Sequence, residues 1–113
     1  MLRITEQERV AFVYLSGDLN RESILPIRDD IMGEIQPGTK AIEFHFENVG
    51  EMDAPAMAMV VIIIRQLQSL SIISKVEGLN RECMDLATVL GLDLVAKVEG
   101  KVSVLQQRDR NNA

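Results

Sequence analysis

Ala41-Ile42-Glu43-Phe44-His45-Phe46-Glu47, written AIEFHFE, alternates apolar and polar side chains without a break. Side chains point to opposite faces along a strand, so Ile42, Phe44 and Phe46 face one way and Glu43, His45 and Glu47 the other. A strand sandwiched between two helical layers is apolar on both faces. This one is not, and it implies a sheet with one bare face and all its helices on the other. The bare face carries two carboxylates beside an imidazole, and both groups ligate metals. With no further ligand and no supporting partner legible in the sequence, the three read as a solvated strand face, and no metal is expected.

Immediately downstream stands Gly50-Glu51-Met52-Asp53-Ala54-Pro55-Ala56-Met57, GEMDAPAM, a helix start with a carboxylate and then no reactive side chain. The helix is expected from Pro55 to about Leu70, with Met57, Val60, Val61, Ile64 and Leu67 as its core stripe. Its first half is apolar all round. Met59, Ile62 and Ile63 are expected to project from the back and, with Met52 and Met57 at the loop edge, to form an exposed apolar patch that binds a partner or a second copy.

Upstream, Val10 to Leu15 reads as a strand that ends at Ser16-Gly17-Asp18, with residues 2–6 as an edge strand beside it. Ile24, Ile27, Ile31 and Ile35 fall at helical spacing from about Glu22 or Ser23, stopped by Gln36-Pro37-Gly38, with Pro26 accommodated in the first turn. Further on come a short strand from Ile72 to Val76 and a third helix capped by Asn80. In that helix Cys83, Ala87 and Leu90 keep core spacing, and Gly91 ends it. Residues 93–98 and 101–105 are expected as short strands, and 106–113, QQRDRNNA, as a frayed tail after a single domain of residues 1–105. The fold class is therefore α/β, a mixed four- to five-stranded sheet with about three helices on one face.

Composition narrows the function. At 113 residues the chain suits one core. A net charge of −5 and scattered basic residues disfavour nucleic acid, which needs a basic face. Cys83 is the only cysteine, so no internal disulfide forms and a reducing, cytoplasmic setting is expected. No signal-peptide pattern opens the chain, and its longest uncharged apolar run, Ala54 to Ile64, is too short to span a bilayer.

Three stretches together resemble the STAS domain, the module of bacterial anti-sigma-factor antagonists and of sulfate-transporter tails, over roughly residues 4–95. They are LSGDLN at 15–20, IEFHFENVGEMDAPAM at 42–57, and VEGLNRECMDLATVLGL at 76–92. The resemblance implies a helix N-terminus whose first hydroxyl is phosphorylated by a partner kinase. A helix N-terminus suits phosphate, and the added charge disfavours the complex by repulsion. Here Asp53 stands where the family's aspartate does, but Ala54 and Pro55 replace the hydroxyl residues and Ala56 the glycine. No Ser, Thr or Tyr occurs between Lys40 and Gln68. The switch is therefore expected to be missing. By the same resemblance Asn20 occupies the position of an aspartate that contacts the kinase, so Asn20 and Asp53 are candidate contact residues, although both types also cap helices and build turns anywhere.

What the resemblance implies is a non-enzymatic interaction module. It would dock through the 17–23 loop, including Asp18 and Asn20, and through Met52, Asp53, Ala54 and the start of the second helix. The partner would be an anti-sigma factor or kinase, a signalling scaffold, or the ATPase subunit of an ABC-type lipid transporter. A ligand-binding regulatory domain is the alternative, but no phosphate-binding glycine motif supports a nucleotide, and no cofactor is expected. An enzyme is disfavoured because His45 has no neighbouring Ser or Cys and Cys83 reads as core.

Overall fold

Residues 1–100 are described by the computed structural model. Two strands, β1 (Leu2–Gln7) and β2 (Val10–Leu19), form an antiparallel hairpin. Three parallel strands follow, each entered through a helix: α1 (Arg21–Glu34) leads into β3 (Ala41–Met52), α2 (Ala54–Ser69) into β4 (Ile73–Leu79), and α3 (Arg81–Val89) into β5 (Lys97–Gly100). The sheet order is simply β1-β2-β3-β4-β5. Parallel neighbours require crossovers, and crossovers are right-handed almost without exception. A sheet that grows in one direction by such crossovers gathers its helices on one face.

The alternation read from AIEFHFE sets the layers. Ile42, Phe44 and Phe46 are buried, as are Ala11, Val13 and Leu15 on β2, and all join one core cluster with the inner faces of the helices. Glu43 and His45 lie on the face away from the helices, but half-buried instead of exposed, because side chains of β2 and β4 crowd around them; Glu47 is exposed. Cys83 and Ala87 are in the core as expected, whereas Leu90 is only half-buried and Leu92 takes the buried place.

Several boundaries differ from the sequence reading. β3 runs on to Met52, since Asn48 to Met52 pair with Ser16 to Leu19 after a register shift. The expected 17–23 loop therefore shrinks to the single residue Asn20. α1 begins at Arg21, which places Pro26 in the second turn instead of the first. The 93–98 segment is not one strand: Leu92–Leu94 forms a 3₁₀ turn and pairing starts at Lys97. The strand expected at 101–105 and the tail at 106–113 lie outside the described residues.

The larger correction concerns α2. Its buried residues are Ala56, Met57, Val60, Ile63, Ile64 and Leu67. At about 100° per residue these span an arc of roughly 120° centred on Val60, with Met57 and Ile63 at its two edges. Ile63 is 1% exposed and Met57 is fully buried, so neither belongs to a surface patch. Val61 and Met59 fall about 100° to either side of that centre and are half-buried. Only Ile62 projects outward, 45% exposed. Taking Val61 into the stripe had rotated its centre away from Ile63.

Candidate functional site

The C-terminal ends of the parallel strands bring the starts of all three helices to one end of the molecule, the usual place for sites in parallel sheets. Each start is capped by its own side chain. Asn20 accepts from the backbone N–H groups of Glu22 and Ser23, both at 2.9 Å, and Ser23 Oγ accepts from the Asn20 N–H at 2.9 Å, closing a capping box. Asp53 Oδ1 accepts from Ala56 N–H at 2.9 Å and Asn80 Oδ1 from Cys83 N–H at 2.9 Å. These bonds satisfy N–H groups that a helix start otherwise leaves unpaired.

The caps are also tied to one another. Asp53 Oδ2 accepts from the Arg21 N–H at 3.2 Å, so one carboxylate caps α2 and reaches the start of α1. Asp18 Oδ1 accepts from the Glu51 N–H at 2.9 Å, clamping the end of β2 to β3. Asn80 Nδ2 donates to the Gly50 carbonyl at 2.7 Å. The outcome is a braced rim around a shallow cleft lined by Asp18, Leu19, Asn20, Glu51, Met52 and Asp53.

Of the residues singled out in the sequence, Asp18, Asn20, Asp53 and Ala54 are exposed on this rim and Met52 is half-buried in it. Met59 and Ile62 lie further along α2, and Ile63 is in the core. The parts that Glu51 and Ser23 play in this rim escaped the sequence reading. The capping box was not legible because Asn20-x-x-Ser23 departs from the usual Ser/Thr-x-x-Glu/Gln pattern and is evident only once Arg21 is known to start the helix. Cys83 is buried behind the rim, and burial, reinforced by Glu82, pushes its thiol pKa up. That keeps it protonated, contrary to what a nucleophile needs.

No curated protein matches the sequence. Solved structures do match the fold. The protein TM1081 of Thermotoga maritima is 14% identical with a TM-score of 0.77, covering 99% of this chain and 95% of that one. SpoIIAA, a Bacillus cell fate determinant described as an anti-sigma factor antagonist, is 18% identical in its phosphorylated form, with a TM-score of 0.69 and coverage of 98% and 99%. A chain from the stressosome, described as a signal integration and transduction hub, is 14% identical with a TM-score of 0.68 and coverage of 97% and 96%. The STAS domain model matches residues 1–104, nearly the whole sequence, and the chain belongs to the STAS domain family.

Proposed function

We propose that this domain is a non-enzymatic regulatory module that docks on a protein partner through the braced rim, without phosphate control. The observation that carries the reading is the start of α2. Ala54 is exposed at its first position, Asp53 already fills the N-terminus with a fixed carboxylate, and no hydroxyl side chain follows until Ser69. At the position where a relative's phosphate would come and go stands the uncharged Ala54, and the Asp53 carboxylate beside it is fixed.

The rim presents Asp18, Glu51 and Asp53 around Met52, and the outward ridge of α2 continues it through Pro55, Ala58 and Ile62, with Met59 at its flank. Such a surface suits a partner that offers basic groups beside an apolar contact, since complementary charge steers encounter and apolar anchors hold the complex. Proteins matching the fold include an anti-sigma factor antagonist and a stressosome chain, which favours an anti-sigma factor or a signalling scaffold in the cytoplasm over a transporter ATPase. No helix among the described residues is long and apolar enough to cross a membrane.

Pull-down from native lysate tests the proposal, with Glu51→Lys and Ile62→Glu as variants. Both are exposed positions, so both variants should keep the wild-type circular dichroism spectrum while losing a stoichiometric partner. Retention of that partner by both folded variants would overturn the docking surface. Incubation with ATP and an anti-sigma kinase should leave the mass of peptide 50–57 unchanged.

A further inference from the structure

His45 sits mid-sheet on the face without helices, its ring stacked on Tyr14 at a centroid distance of 4.9 Å and an interplanar angle of 15°. Three carboxylates surround it. Glu47 Oε1 lies 3.3 Å and Glu77 Oε2 3.5 Å from Nδ1, and Glu43 Oε1 lies 3.4 Å from Nε2. Nε2 is buried and, despite the nearby Glu43 oxygen, has no hydrogen-bond partner. Lys75 Nζ holds Glu77 through Oε1 at 2.6 Å, leaving Oε2 turned toward the imidazole. Gly78 makes room for Glu47, because a Cβ there would lie 2.5 Å from the Glu47 carboxylate carbon.

Carboxylates face both ring nitrogens; an Nδ1–H donated to Glu47 leaves the buried Nε2 free to ligate, the arrangement that metal-ligating histidines use. In that tautomer the Nε2 lone pair faces a carboxylate oxygen, a repulsive pairing that a proton or a metal cation between the two relieves. The separation is close to the ligand–ligand edge of roughly 3.3 Å implied by tetrahedral bonds of about 2.0–2.1 Å. One ligand atom each from Glu43, His45 and Glu77 lies within 4.8 Å of the other two, although Glu77 Oε2 is nearest Nδ1, so its carboxylate has to turn toward Nε2 to complete the set. The sequence discounted a metal here for want of further ligands. Pairing of β3 with β4 supplies one in Glu77, opposite His45 in the register, and Glu47 supplies the supporting partner.

We propose that Glu43, His45 and Glu77 bind a divalent transition cation of the zinc class, with Glu47 as the positioning residue for the imidazole. Imidazole beside carboxylates suits Zn²⁺, whereas Mg²⁺ favours all-oxygen shells and retains its waters. The site ties β3 to β4 on the face opposite the helices, and it does not depend on the docking proposal.

His45 is the only histidine of the chain, so its imidazole resonances report this site without ambiguity in untagged protein. Stoichiometric Zn²⁺ should shift the ring-proton signals, and Mg²⁺ should not. Glu43→Gln and Glu77→Gln should each weaken Zn²⁺ binding by calorimetry at least about tenfold while remaining folded, and Glu47→Gln should weaken it and alter the imidazole tautomer signal. Unmoved ring signals at millimolar Zn²⁺, an equal response to Mg²⁺, or undiminished affinity in both Glu43→Gln and Glu77→Gln would overturn the site.

Discussion

Phe44 sits at the centre of β3, 1% exposed, with the Phe46 ring centroid 6.5 Å away. Phe44→Ala removes an aromatic ring from the only core cluster among the described residues, and the cavity should cost about 3–5 kcal/mol. That is a large share of a small domain's stability, and urea unfolding measures it. Cys83 offers a milder check at the same scale. Buried and with its thiol pKa raised, it should resist a thiol reagent in the native protein and react once the chain is unfolded. Phe44 and Cys83 were both legible in the sequence, because alternation and helical spacing assign a residue to a face without knowledge of its neighbours. Glu77 was not: its relation to His45 exists only through strand pairing.

At the scale of elements, α2 separates what periodicity reveals from what it leaves open. A helix apolar all round has no contrast by which to centre its buried arc, and Ile63 and Val61 were interchanged for that reason. The two isoleucines now give opposite expectations: Ile62→Glu should stay folded, while Ile63→Glu buries an unpaired charge and should unfold the domain, as thermal melts would show. The β1–β2 hairpin carries a different cost. Its connecting residues Glu8 and Arg9 have φ of 50° and 68°, the left-handed region that a two-residue hairpin turn demands and non-glycine residues disfavour. Replacing Glu8-Arg9 by Asn-Gly should raise stability by about 1 kcal/mol, and an unchanged or lower urea midpoint would show that the turn is not strained. The turn went unread in the sequence because Glu-Arg lacks the Asn-Gly signature.

For the whole molecule, the one-sided layering was legible from a single strand, since AIEFHFE has no apolar outer face to offer a second layer. The lateral order of strands was not, because alternation fixes faces but not neighbours. That order creates the charged bare face, and its pH dependence follows from two opposed groups. Lys75, hydrogen-bonded to Glu77, holds the Glu77 carboxyl below its ordinary value of 4.5, and Glu77 raises Lys75 above its ordinary 10.5. A depressed carboxyl stabilises the fold above the unfolded value and loses that contribution as pH falls through the folded one. A raised lysine stabilises below its unfolded value and loses it as pH rises through the folded one. The pair should therefore contribute fully on a plateau between about pH 5 and 10 and fade at both ends. Both groups are partly exposed, so the effect is small and weakens with salt. Lys75→Gln isolates it. The urea midpoint of this variant should lie below wild type at pH 7, the gap should narrow as pH falls below the ordinary carboxylate value and Glu77 takes up its proton, and added salt should narrow it at neutral pH. A gap unchanged by both acid and salt would mean that the Lys75 stem, by packing on the sheet, matters and its charge does not.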